Sequence, residues 1–169
     1  AEGDPLRMRR YVFSECFAAI AYGALFHATG QAQWKERAIV AFDLFLKFNR
    51  EPGHIAPKTS PETRPMKGLS PLMMTLVTAQ DMRADLGDIF VRGKTLTQWA
   101  AEAIAEIRAD FVKPDLKAVM EVVGPNGEIY DHFDGRLLNP CHSIEAAWLE
   151  IDRHNGIALS GLSDPASAD

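Results

Sequence analysis

The sequence lacks the features that mark several large classes of protein. It contains two cysteines, Cys16 and Cys141, which are too few for a disulfide framework and favour a reducing compartment. Lysine and arginine total 18 against 23 aspartate and glutamate residues, and the one basic cluster, Arg7, Arg9 and Arg10, is short. Because nucleic acids are bound by clustered basic side chains, we do not expect nucleic acid as a partner.

Long apolar runs are also missing. No stretch reaches the roughly 20 apolar residues that span a bilayer, and no charged-then-apolar leader precedes the first helical pattern. We therefore expect a cytoplasmic protein without a membrane partner. Hydrophobic residues make up 47% of the 169 residues, which is enough for one folded domain, predicted over residues 1–154.

What the sequence does contain is helical periodicity. Apolar residues at spacings of three and four predict a helix over 7–29 and a second over 31–49, which together form a hairpin. Prolines and a glycine predict a loop over 50–65. A second pair of helices is predicted over 67–86 and 88–111, joined at Gly87. The fold class is thus predicted to be mainly α, with helical hairpins in series.

The pattern changes after residue 117. "AVMEVVGPNGEIYDHFDG", residues 118–135, alternates and carries Pro-Asn-Gly between β-prone runs, which predicts a β-hairpin with its turn at 124–127. Asn139 and Pro140 then have the residue types preferred at a helix N-cap and at the first helical position, so a helix is predicted from Asn139 to about Arg153. The composition of residues 155–169 predicts a flexible tail.

Four stretches resemble a known family. They are "RYVFSECFAAIAYGALFHATG" (10–30), the following helix with Trp34, "RPMKGLSPLMM" (64–74) and "GRLLNPCHSIEAAW" (135–148). In this order and spacing they are similar to the N-acylglucosamine 2-epimerase family, also called renin-binding proteins. The resemblance covers residues 7–148. It implies a partial α/α barrel of helical hairpins, (α/α)6 in the complete enzymes, and a central fragment of such an enzyme.

The resemblance also implies a reaction. Members of the family interconvert N-acylglucosamine and N-acylmannosamine by removing and returning the proton at C2, with two histidines on opposite sides of that carbon. One of them maps to His142; the second, and an N-terminal arginine that binds a sugar oxygen, have no counterpart here. We therefore expect this chain to be inactive alone. The resemblance further implies an amino-sugar ligand, a homodimer, no required cofactor, and ATP as an allosteric activator.

Three residues in "NPCHSIEAAW" form the main candidate site. His142 falls at the third helical position, where free backbone N–H groups and the helix dipole favour a neutral imidazole, a usable base near pH 7. Glu145, one turn on, is predicted to hold the other ring nitrogen, and Trp148 to extend the same face as a platform for the sugar. The alternative is that His142 only caps its helix, with Glu145 in solvent and Trp148 in the core.

Further candidates follow from the resemblance. Arg10 and Phe13 start a helix whose inner face lies near the sugar in the family, and Met73 stands where sugar isomerases and cellobiose 2-epimerases have a histidine, so it favours an N-acyl sugar. Cys141 replaces the family's glycine. A nucleophilic pairing of Cys141 with His142 is disfavoured, because adjacent residues in a helix point in different directions. The sequence carries no metal-binding motif.

Two other functions fit the same residues. One is a non-catalytic helical module that binds a sugar or a protein without turning it over. The other is a mannose- or cellobiose-type epimerase or isomerase of the same superfamily. Since a partial barrel leaves helix faces uncovered, we also expect exposed apolar surface and self-association.

Overall fold

A computed structural model describes residues 12–54 and 60–149 of the protein. Helices dominate, which confirms the mainly α prediction. The helices are α1 (Phe13–Thr29), α2 (Ala32–Arg50), α3 (Ser70–Leu86), α4 (Leu96–Glu106), which continues as a π-helical turn (Ile107–Phe111), and α5, which begins at 140 and is described to 149.

Short antiparallel strand pairs connect the helices. In the described ranges β1 (Lys67–Gly68) pairs with β6 (Val122–Val123), β2 (Phe90–Val91) with β3 (Lys94–Thr95), and β4 (Val112–Lys113) with β5 (Ala118–Val119). Single 3-10 turns occupy Pro114–Leu116 and Asp134–Arg136. No helix in these ranges is both long and apolar enough to cross a membrane.

The chain forms two compact units. The first contains residues up to 65 and 78–100, and the second contains 66–77 and the residues from 101 onward. Helices α3 and α4 each contribute residues to both units. The predicted flexible tail at 155–169 lies outside the described residues. The first helix is predicted to run from Arg7, but α1 begins at Phe13, because Val12 before it has the left-handed φ of 60°.

The first unit is built on the predicted α1–α2 hairpin. Gly30 ends α1 in the left-handed conformation, with φ of 67°, and its N–H donates to the Phe26 carbonyl at 2.8 Å. This is the helix stop that glycine favours. Cys16 on α1 and Phe42 and Phe45 on α2 are fully buried, so the two helices pack through one apolar side each.

The fourth predicted helix starts later than expected. Residues 88–95, predicted to be helical, instead hold the β2–β3 hairpin, in which Arg92 and Gly93 have φ of 49° and 78°, as a type I′ turn requires. The Thr95 hydroxyl accepts the Gln98 N–H at 3.2 Å, and the Gln98 side-chain oxygen accepts the Thr95 N–H at 2.8 Å. This reciprocal capping box places the helix start at Leu96.

For the β-hairpin predicted at residues 118–135, the predicted turn is confirmed, but the predicted pairing of the two flanking strands is wrong. The Gly127 N–H donates to the Gly124 carbonyl at 3.0 Å, and the Gly124 N–H donates to the Glu128 carbonyl at 2.8 Å, so the turn forms. The strand before the turn, β6, pairs with β1 rather than with the residues after the turn. A strand partner distant in the sequence has replaced the local one.

The second unit has its own apolar core, to which β6 contributes Val123. Lys67 on β1 adds an ionic anchor, since its ammonium group contacts Asp110 and lies 3.4 Å from a Glu106 oxygen. Burial lowers the pKa of Lys67, but the two carboxylates outweigh that effect, so its pKa is raised overall. The core cluster consists of Leu69, Leu72, Met73, Ile107, Phe111, Met120 and Val123.

Candidate active site

The candidate site begins where α5 begins. The side-chain oxygen of Asn139 accepts the His142 N–H at 3.4 Å, and its carbonyl accepts the Ser143 N–H at 3.0 Å. Pro140 is the first helical residue. These contacts confirm the predicted N-cap and place His142 at the third helical position, although 3.4 Å is long for an N–H···O bond and the side-chain cap is therefore weak.

The imidazole of His142 is held by a carboxylate from another segment. Its Nδ1 lies 2.8 Å from Oε2 of Glu121. The His142 side chain is 33% exposed and the Glu121 side chain 16% exposed, so the pair sits at the edge of the second unit with the imidazole reaching solvent. An imidazole in this position can exchange protons with a bound molecule.

Glu121 is hydrogen-bonded to the residues at the start of α3. The residue lies between β5 and β6, and its carbonyl accepts the Leu69 N–H at 3.0 Å. Its Oε1 accepts a hydrogen bond from the Ser70 hydroxyl at 3.5 Å. The stretch "KGLS" at 67–70 and the stretch "NPCH" at 139–142 therefore meet at Glu121, which joins two of the stretches that carry the family resemblance.

The sequence analysis missed Glu121 and predicted instead that Glu145 would hold the ring nitrogen of His142. The carboxylate at the ring is Glu121, whereas Glu145 is exposed. The missed signal is a single charged residue inside the short β-prone run "AVMEVV". A charged residue inside an apolar run indicates a specific partner in the fold, because burying a charge without a partner is costly.

Trp148 does not share the inward side of His142. At about 100° per residue, a separation of six residues turns Trp148 about 240° away from His142 around the helix. The buried positions of α5 are instead Ala146 and Leu149, while Trp148 is 59% exposed. Helix geometry puts His142 with Ala146 and Leu149, so the prediction that Trp148 shares the face of His142 is corrected, whereas Glu145 is only about 60° from His142 around the helix.

The other predicted residues fall in different places. Met73 is 5% exposed and belongs to the core of the second unit. Phe13 is half-buried in the first unit, with its ring centroid 6.5 Å from that of Phe45. Arg10 lies outside the described residues. Cys141 is exposed and has a free thiol.

An open apolar groove of about 430 Å³ also borders α5, but it does not contain the candidate base. Ser143 and Ile144 line it from α5, facing Ala118, Val119 and other residues around the β4–β5 pair. His142 and Glu121 are not among its lining residues. Across 12–54 and 60–149, no group of three or more histidine, cysteine, aspartate or glutamate side chains is arranged to hold a metal ion.

Comparison with known proteins shows what the chain resembles. No family model matches it. The human N-acylglucosamine 2-epimerase is 29% identical over 157 residues, which cover 90% of this chain and 35% of the human protein. The bovine N-acylglucosamine 2-epimerase is 28% identical over 148 residues, or 87% of this chain and 34% of the bovine protein, and the mouse enzyme is 29% identical with the same coverage.

These matches confirm the resemblance to N-acylglucosamine 2-epimerases. The similarity extends over most of this chain, which spans about a third of the length of the curated relatives it matches. The relatives bear the name of an epimerase, so the chain is similar to enzymes of the isomerase class.

Proposed function

We propose that this chain supplies one half of the active site of a sugar 2-epimerase, with His142 as one of two groups that move the proton at C2. The proposed substrates are N-acylglucosamine and N-acylmannosamine. The observation that carries the proposal is the His142–Glu121 pair, which is exposed to solvent through His142, in a chain similar to N-acylglucosamine 2-epimerases.

The chemistry suits a histidine. In the open-chain N-acyl sugar the C2 proton lies next to the C1 carbonyl, so a general base near neutral pH can remove it and leave an enolate whose C2 still carries the acylamino group. Return of a proton to the opposite face inverts C2, and this needs a second acid on that side. A neutral imidazole performs the first task and its protonated form the reverse one, since the two are conjugate.

The second proton-transfer group is proposed to come from outside this chain. The family resemblance implies a second histidine, which has no counterpart in this sequence, and the chain spans 35% of the human relative. We accordingly propose that the chain alone does not interconvert the two sugars. From the same resemblance we propose a homodimer, activation by ATP and a cytoplasmic location.

Glu145 and Trp148 remain proposed sugar contacts. Both side chains are exposed on the helix that carries His142, so they are accessible to a ligand. Phe13 and Arg10 are proposed contacts by resemblance alone. The burial of Met73 in the core argues against direct contact with the sugar, and we propose that it acts only through packing.

The test follows the C2 proton directly. N-acetylmannosamine is incubated in deuterated water with the complete epimerase that contains this sequence, and loss of the C2 proton signal is followed by NMR. We expect exchange in the wild type and its loss in His142→Ala. His132→Ala is the matched control, because His132 is 36% exposed and also pairs with a carboxylate, that of Asp134 at 3.3 Å.

The outcomes separate the candidate functions. Exchange that depends on His142 but not on His132 supports the epimerase. Binding of the sugar by the complete protein without any exchange would show a non-catalytic sugar-binding module. Exchange of mannose or cellobiose with none of N-acetylmannosamine would assign the protein to the related sugar isomerases and epimerases instead.

A further inference from the structure

We propose that Glu121 is the positioning residue of the candidate base: its carboxylate holds the His142 imidazole as the tautomer with hydrogen on Nδ1, which leaves Nε2 to receive the C2 proton. The catalytic consequence rests on the proposed function. The tautomer itself is a property of this chain and can be measured without any reaction.

The tautomer follows from the contact. An ionised carboxylate only accepts hydrogen bonds, so across the 2.8 Å contact with Glu121 Oε2 the hydrogen must belong to Nδ1 of His142. A neutral imidazole carries one N–H hydrogen. Its Nε2 is then left with a free lone pair, which is the group that a base needs.

Each oxygen of the Glu121 carboxylate has a polar neighbour, a close one at Oε2 and a distant one at Oε1. Oε2 contacts His142 at 2.8 Å, and Oε1 accepts the Ser70 hydroxyl at 3.5 Å. The carbonyl of Glu121 accepts the Leu69 N–H at 3.0 Å, and this bond extends the β1–β6 pairing by one residue. The backbone bond to Leu69 therefore positions Glu121, and the long contact with Ser70 adds only a weak restraint on the carboxylate.

The imidazole is restrained from its own helix as well. The first turn of α5, with its 3.0 Å bond from the Ser143 N–H to the Asn139 carbonyl, positions the backbone of His142, while Glu121 holds the ring from the β5–β6 connection. A partly exposed ion pair alone adds little stability. We therefore assign the Glu121 contact to orienting the His142 imidazole rather than to stabilising the fold. A hydrogen bond to one ring nitrogen sets the tautomer and the direction in which the other nitrogen points.

The spectroscopic test uses this chain as it is. Two-bond ¹H–¹⁵N correlation spectra of the ¹⁵N-labelled protein at pH 8, above the pKa of about 6.5 of an ordinary histidine, report which ring nitrogen carries hydrogen. We expect the Nδ1–H form of His142 in the wild type. Glu121→Gln should shift His142 toward the tautomer mixture of free imidazole, because an amide donates as well as accepts, and Glu145→Gln should leave it unchanged.

Two results would overturn the inference. One is a wild-type His142 with its hydrogen on Nε2, which needs no variant and so does not depend on how a variant folds. The other is a folded Glu121→Gln protein whose His142 tautomer equals that of the wild type. Far-UV circular dichroism checks the fold of the variant.

A kinetic test addresses the consequence. In the complete epimerase, Glu121→Gln should lower kcat for C2 exchange by roughly tenfold to a hundredfold, part of the 10²- to 10⁴-fold that a positioned general base contributes, with KM nearly unchanged. Glu121→Asp keeps the charge and should recover part of kcat. Loss of stability alone would also lower the apparent kcat with KM unchanged, so kcat is expressed per folded enzyme, measured by circular dichroism. A Glu121→Gln kcat per folded enzyme equal to that of the wild type would contradict the role of Glu121.

The two proposals fail in different ways. If the wild-type enzyme shows no C2 exchange while the His142 tautomer still depends on Glu121, the proposed function is wrong and the positioning contact stands. If exchange depends on His142 but Glu121→Gln changes neither kcat nor the tautomer, the function stands and the role of Glu121 is wrong.

Discussion

Phe111 is the side chain whose removal should most directly test the core beneath the candidate site. Its ring is fully buried in the apolar cluster of the second unit, and its carbonyl accepts the Met120 N–H at 2.9 Å, one residue before Glu121. Truncating a buried phenylalanine to alanine costs about 3–5 kcal/mol. Since whole domains are stable by roughly 5–15 kcal/mol, Phe111→Ala should remove a large share of the stability.

The measurement is urea unfolding followed by circular dichroism. The unfolding midpoint of Phe111→Ala should fall markedly, whereas Phe133→Ala, the same substitution at a side chain in the same unit that is 78% exposed, should stay within about 0.5 kcal/mol of the wild type. Equal midpoints for the two variants would refute the assignment of Phe111 to the core. In the Phe111 variant we also expect the His142 tautomer to become mixed, because the support of Glu121 is loosened.

Four further outcomes are expected. At pH 8, iodoacetamide should label Cys141 in the native protein and spare Cys16, because burial raises the pKa of the Cys16 thiol from 9.0 to about 12 and lowers its thiolate fraction about 1,000-fold. The same raised pKa makes native stability fall as pH rises from 9 toward 12, with no contribution from Cys16 below pH 9, which alkaline titration of unfolding measures. Under the proposed function, His142→Ala in a complete protein that contains this sequence should lower the epimerisation rate by roughly a hundredfold or more with a smaller change in sugar binding, measured by steady-state kinetics. Gly135→Ala should cost about 1–3 kcal/mol in urea unfolding, because a Cβ there overlaps the Tyr130 carbonyl oxygen.

Matched variants sharpen these tests. Cys141→Ser should abolish native labelling, and any native labelling that remains would contradict the burial of Cys16. Retention of a near wild-type rate by His142→Ala would leave that histidine as a helix cap alone. Gly68→Ala is the control for Gly135, because the nearest atom to its added Cβ is a Glu121 oxygen at 3.9 Å, and a larger loss in this control would count against the clash at Gly135.

Local signals predicted the helices well where one signal acted alone. The apolar spacing and Gly30 located α1 and α2, and Asn139 with Pro140 located the start of α5. Residues 88–95 carried two signals. Gly87 alone places a helix start at 88, whereas Thr95 and Gln98 form a capping box that begins the helix at Leu96.

The sequence by itself determined the mainly α class, the position of His142 at the third residue of a capped helix, and the resemblance to N-acylglucosamine 2-epimerases. These depend on neighbours within a few residues or on motifs in order along the chain. Only the tertiary structure decided which carboxylate meets His142. Spacing along a helix identifies partners three or four residues away, whereas Glu121 lies 21 residues before His142 and is placed there by the connection between β5 and β6 and by its bonds to Leu69 and Ser70.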